Sequence, residues 1–205
     1  MSTRGFIRCS SGATAAEFAL VLPLLLLFIF GLIDVGRVMW TLNRAEKATQ
    51  MGVRFAVATR VLPQGLNSYS FVTQGGLPQG VLIPESSFGG ATCTSTGCTC
   101  KAGATCPPLG TFDSVAFTEI VERMQAALPD VEAANVQVDY GYSGLGYAGD
   151  PNGPDVAPLV TVRLVNLPFR PITLILFGGT ISLPDFRAAL TLEDGVGAIS
   201  NGESK

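Results

Sequence analysis

The chain has 205 residues, 47% of them hydrophobic, and carries a formal charge of −3 from 13 basic and 16 acidic side chains. That length suits one folded domain with its own core, and the mildly acidic balance offers no basic face to nucleic-acid phosphates. Histidine is absent, which excludes Ser/His/Asp and Cys/His catalysis and every histidine-ligated metal site.

Residues 1–12 read as a basic leader with Arg4 and Arg8, and an uncharged, leucine-rich run occupies 18–33. Between them lie Ala13, Thr14, Ala15, Ala16 and Glu17, so a lone carboxylate stands at the lip of a membrane-length segment beside Phe18. A carboxylate is costly in hydrocarbon, so an anchor keeps one there when it is used. The run 18–33 reaches about 24 Å as a helix, short of the ~30 Å hydrocarbon core. Adding 13–16 completes the crossing and leaves Glu17 near the cytoplasmic interface. In a bundle of such helices, Glu17 can pair with the free amine of a neighbouring chain. Pro23 lies inside the run; it removes one backbone hydrogen bond and tends to kink the helix, which a packed bundle tolerates.

A removed signal peptide fits poorly. Asp34-Val35-Gly36-Arg37-Val38-Met39-Trp40 follows the run and offers no small-x-small cleavage site. Cys9 precedes the run, where a lipoprotein cysteine would follow it. The cations Arg37, Arg44 and Lys47 after the span slightly outweigh Arg4 and Arg8 before it, a bias toward the inverted topology. The later cysteines need an oxidising compartment, which favours N-terminus in and C-terminus out.

Beyond the span, Val35, Val38, Met39, Leu42, Ala45, Ala48, Gly52, Phe55 and Ala56 recur at helical spacing. One helix is expected over about 13–59, within a segment 13–61, ending before Pro63. Trp40 and Arg37 suit the outer interface. The small residues Ala45, Ala48, Gly52 and Ala56 allow close backbone approach, either to the downstream domain or to other subunits.

Residues 62–110 form a region rich in Gly, Pro, Ser and Thr, with short strands expected near 69–73 and 80–83. It holds Cys93, Cys98, Cys100 and Cys106 in the pattern C-x4-C-x-C-x5-C. The paired C-x2-C knuckles of zinc ribbons are missing, so two disulfides stapling a long loop are expected, with three pairings open. No metal and no cofactor is expected.

Residues 111–194 read as a small domain. Its helix over 112–128 presents Val115, Ile120, Val121, Met124, Ala127 and Leu128, and Pro129 ends it. Strands are expected over 135–142, with Val136, Val138, Tyr140 and Tyr142 on one face, over 159–167, and over 185–193 with Phe186, Ala188, Leu190 and Leu192 together. A helix followed by antiparallel strands makes the fold class α+β. The apolar run 169–177 is too short to span a bilayer and reads as a buried connection or a patch against the membrane surface. Gly141, Gly144, Gly146 and Gly149 lack the strand–helix context and the lysine of a phosphate loop. Carboxylates such as Glu119 and Glu122 leave catalysis formally open; three apart on one helix face, these two read better as a solvated edge. The tail 195–205 is expected to be disordered.

The stretch from Gly12 through Glu17-Phe18 to Leu27, followed by Gly31-Leu-Ile-Asp-Val-Gly-Arg37, resembles the TadE-like family, pseudopilins of bacterial tight-adherence (Flp pilus) systems. The resemblance covers about residues 11–60. It implies a pilin-like α+β protein, not an enzyme: a long helix, partly transmembrane, followed by a periplasmic helix-and-sheet domain. It further implies cleavage by a prepilin peptidase between Gly12 and Ala13, so that Glu17 becomes the fifth residue of the mature chain and Phe18 the sixth. Glu17 would then neutralise the new amine of Ala13 on an adjacent subunit during assembly. The implied setting is the bacterial inner membrane, and the implied partners are the peptidase, other pilin or pseudopilin subunits and the pilus assembly machinery.

Overall fold

A computed structural model describes residues 10–151, 153–175 and 178–192. Residues 1–9 of the leader, with Arg4, Arg8 and Cys9, lie outside the described residues, as do the tail 195–205 and the last two residues of the 169–177 run.

The first element, α1, is a 49-residue helix, Ser10–Ala58, that continues through Pro23. It starts slightly before the expected position, so Gly12 is itself helical. The chain divides into two compact units, Met1–Thr41 with Pro168–Ser182, and Leu42–Leu167 with Leu183–Lys205. α1 contributes to both.

In the first unit, every large apolar side chain over 18–33 is exposed, from Phe18 to Ile33. A core helix of a soluble domain buries one apolar stripe and turns polar residues outward; this segment is apolar on all sides. α1 is long and apolar enough to cross a membrane. The other part of this unit contains β5 (Pro168–Phe169), a short helix α4 (Ile172–Ile175) and β6 (Ile181–Ser182). β5 and β6 pair antiparallel, Phe169 opposite Ile181. Phe169 is buried, while Ile172, Thr173 and Leu174 are half-buried.

The second unit is α+β, as its alternating apolar pattern requires. Its sheet holds β1 (Gly90–Thr94), β2 (Gly97–Cys100), β3 (Val136–Gly141), β4 (Leu159–Leu164) and β7 (Phe186–Thr191), in the order β2-β1-β3-β4-β7. All neighbours are antiparallel. Register aligns Cys93 with Val138 and Val162, and Ala91 with Tyr140 and Val160. These six side chains are fully buried on one face. The other face is polar: Arg163 Nη2 donates to Gln137 Oε1 at 2.8 Å, and Thr92 Oγ1 to Asp139 Oδ1 at 2.6 Å. Arg163 Nε lies 2.8 Å from Asp139 Oδ2, an ion pair by distance without hydrogen-bond alignment.

The second half of α1 packs on the apolar face together with α3 (Ser114–Gln125). A Cβ added at Gly52 would stand 2.8 Å from Met124 Cγ and 3.3 Å from Val162 Cγ1, so glycine is what lets helix, helix and sheet meet here. Ala45, Ala48 and Ala56 are buried beside it.

The structure corrects several expectations. Residues 69–73 and 80–83 form no strands: Phe71 is buried in a turn, and Leu82 makes one isolated bridge to Tyr147. The strands of this region lie at the cysteines instead, because β1 finds its partner in β3, far along the chain. A short helix, α2 (Gln64–Ser68), follows Pro63. α3 is shorter than expected, since Asp113 caps it, its Oδ1 accepting from Ala116 N at 2.9 Å. Ile120, Val121, Met124 and Leu128 are buried as expected, but Val115 is 59% exposed and Ala127 half-buried, with Ala116 and Phe117 buried in addition. β4 ends at Leu164, with Asn166 at a positive φ of 54° just beyond.

Candidate functional site

Gly12, Glu17, Phe18 and Pro23 sit on α1 and are exposed. A Cβ at Gly12 would meet nothing within 4 Å, so packing does not demand the glycine. Ala13 occupies the next helical position. Glu17 makes no ion pair among the described residues, although its neighbours are apolar. Among the described residues, then, nothing packs against this glycine and nothing pairs with this acid.

A second constellation lies where the apolar run ends, and sequence reasoning missed it. Asp34 follows Ile33 directly and is buried. Its Oδ1 accepts from Ile172 N at 2.7 Å, and its Oδ2 accepts from Thr173 N at 2.9 Å and Thr173 Oγ1 at 2.8 Å. Arg37, one turn further on, donates from Nη1 to Asp34 Oδ1 at 3.2 Å and to the Arg170 carbonyl at 3.2 Å. The same guanidinium lies 5.2 Å from the centre of the Phe169 ring. All four partners of Asp34 donate, which matches a carboxylate that can only accept. The available signal was an Asp and an Arg three apart at the end of a charge-free run, a spacing that puts both on one helix face.

The four cysteines pair as sequence neighbours. Cys93 and Cys98 face each other across the β1–β2 hairpin, with Cα atoms 4.0 Å apart. Cys100 joins Cys106 in the following loop, with Cα atoms 6.0 Å apart. No group of three or more metal-binding side chains occurs among the described residues.

Glu119 and Glu122 line an open surface depression with Phe55, Arg123 and Ala126. Arg123 stacks over Phe55 at 5.2 Å, so the two carboxylates share a solvated helix edge with a cation. Deeper in the same unit, the Tyr140 hydroxyl accepts from Leu62 N at 3.0 Å. Burial pushes the Tyr140 phenol well above its ordinary range, and the Leu62 hydrogen bond opposes this only in part.

Residues 12–54 match the family model described as TadE-like protein. The match begins at Gly12 and takes in Glu17, Phe18, Pro23, Asp34 and Arg37; the sheet lies outside it. No curated protein and no solved structure matches the chain.

Proposed function

We propose that the chain is a minor pseudopilin of a tight-adherence (Flp) pilus, made as a precursor and cut by a prepilin peptidase between Gly12 and Ala13. One coincidence carries this reading. The TadE-like match starts at Gly12, and five residues on stands an exposed acid with no ion pair among the described residues. Gly12 suits a processing site, since glycine in a helix costs about 1 kcal/mol relative to alanine and the backbone opens there most readily. Once cut, the amine of Ala13 gives Glu17 of an adjacent subunit a counter-ion, and the apolar surface over 18–33 packs against like helices.

The protein is held in the inner membrane by α1 with its sheet domain in the periplasm. Two disulfides favour that oxidising side. In this reading its role is structural and it carries no catalytic activity of its own; Glu119 and Glu122 share an open helix edge with Arg123. Its partners are the peptidase, other pilin subunits and the assembly machinery.

N-terminal sequencing of protein extracted from membranes tests the cut. A start at Ala13 is expected; a start at Met1 or Ser2 in cells with active prepilin peptidase overturns it and leaves an uncut anchored protein. Glu17→Ala is expected to insert normally and to impair pilus assembly. Normal pili in that variant would remove the pairing role.

A further inference from the structure

The excursion Pro168–Ser182 belongs to the same compact unit as the apolar half of α1. Its height along that helix is set by two side chains one turn apart. Asp34 is the first residue after the apolar run, and its carboxylate holds the backbone of Ile172 at 2.7 Å and Thr173 at 2.9 Å. Arg37 holds the Arg170 carbonyl at 3.2 Å and covers Phe169. A segment tied to the end of a membrane span at two levels about 4.5 Å apart cannot leave the boundary between hydrocarbon and water.

Its chemistry suits that boundary. Ile181 is 47% exposed, and Trp40 on the helix is 67% exposed. Arg170 is exposed and lines an open depression with Gly178, Gly179 and Thr180. Asp34 and Arg37 form an ion pair, so the exposed Arg170 gives this end its positive charge. Aromatic rings, aliphatic side chains and arginines side by side are the composition of the headgroup–acyl layer. The backbone argues for the same depth. One short helix and a two-residue ladder leave polar groups that bare hydrocarbon would not tolerate and headgroup water satisfies.

We propose that residues 168–175 and 178–182 are a second, non-spanning membrane contact, resting in the headgroup–acyl boundary where α1 leaves the bilayer and locked there by Asp34. Its occupant is phospholipid: phosphates against Arg170, acyl chains against Ile181. This inference rests on reading α1 as a membrane span.

The test uses the full chain in nanodiscs of equal parts phosphatidylcholine and phosphatidylglycerol. Trp40 is the chain's one tryptophan, so Trp40→Phe gives a silent background for Ile181→Trp as reporter and Leu25→Trp as control. The expected result is blue-shifted Ile181→Trp emission, quenched more by lipids brominated near the headgroup than by lipids brominated at the chain ends. The control shows the opposite preference. Adding Asp34→Asn is expected to cut reporter quenching by roughly half while leaving the control unchanged. A reporter quenched by aqueous acrylamide and not by brominated lipid, beside a normally quenched control, overturns this inference alone. A reporter shielded only when two chains share a disc identifies a second copy as occupant and overturns it as well. A control that also escapes lipid quenching overturns the span reading and this inference together. Quenching unchanged by Asp34→Asn overturns the locking role.

Discussion

Asp34 and Thr173 lie 139 residues apart in sequence and are joined twice, the Thr173 backbone N–H reaching Oδ2 at 2.9 Å and the hydroxyl reaching the same oxygen at 2.8 Å. With Ile172 N on Oδ1, one carboxylate caps the start of α4 from a different helix. Asn in its place keeps one acceptor oxygen and turns an amide donor toward groups that themselves donate. Asp34→Asn is therefore expected to speed hydrogen exchange at the Ile172 and Thr173 amides by at least about tenfold, with β3 and β4 unaffected. Thr173→Val removes only the hydroxyl and should give a smaller change. Mass-spectrometric exchange on the detergent-extracted chain checks both; equal protection in Asp34→Asn would show that the contact is idle.

Tyr140 joins β3 to the segment that follows α1, through Leu62 N. Tyr140→Phe leaves that N–H buried without an acceptor and is expected to cost about 1–3 kcal/mol in urea unfolding. The pH dependence follows from the raised phenol. The folded state keeps its proton where the unfolded chain loses it, from about pH 10.0 upward. Its contribution to stability is thus complete below that pH and declines as pH rises above it. Comparing wild type with Tyr140→Phe on either side of pH 10.0 should show the alkaline decline in wild type alone.

The two disulfides close short loops, of sequence separation 5 and 6. Loop-closure entropy for rings of this size amounts to about 2 kcal/mol each. Cys98→Ser should lose about that much in urea unfolding, and more if the buried Cys93 thiol is left poorly packed. Cys106→Ser should lose a similar amount. Mass measured before and after reduction and alkylation should reveal four paired thiols in a chain that starts at Ala13.

Gly52 sits where α1 meets Met124 of α3 and Val162 of β4. Gly52→Ala gains helix propensity but drives a methyl into Met124, and the expected net loss is about 1–3 kcal/mol. Thermal unfolding of the extracted protein checks the sign; a stabilised variant would mean that Met124 moves aside freely. Membrane insertion should not change, since Gly52 lies outside the run 18–33.

Much of this architecture was legible in the residues. The charge-free run and the helical stripe after it announced α1, period-two alternation announced β3 and β7, and a run rich in valine and leucine announced β4. Proline and glycine marked most ends. The stripe Ala45, Ala48, Gly52 and Ala56 was legible as a close-packing face, but not its partner. In the structure that partner is the chain's own α3 and sheet. The strands at the cysteines were missed because β1 and β2 carry no long apolar alternation; β1 is a strand by virtue of its pairing with β3. Val115 was placed inside and lies outside because it stands nine residues before Met124, and at about 100° per residue that puts it on the opposite side of α3 from Ile120, Val121 and Met124.

The order of residues by itself determined what depends on neighbours along the chain: the length and greasiness of the span, the exposed acid at its lip, the spacing of glycine before it, and an even cluster of cysteines downstream. Those properties are local, so no fold is needed to read them. Tertiary structure alone decided which cysteines meet, which face of α1 the sheet takes, and what Asp34 is for. The cysteine pairing rests on the hairpin and loop that bring near neighbours face to face; the other two rest on groups brought together from far along the chain, and a carboxylate says nothing of its partner until folding delivers one.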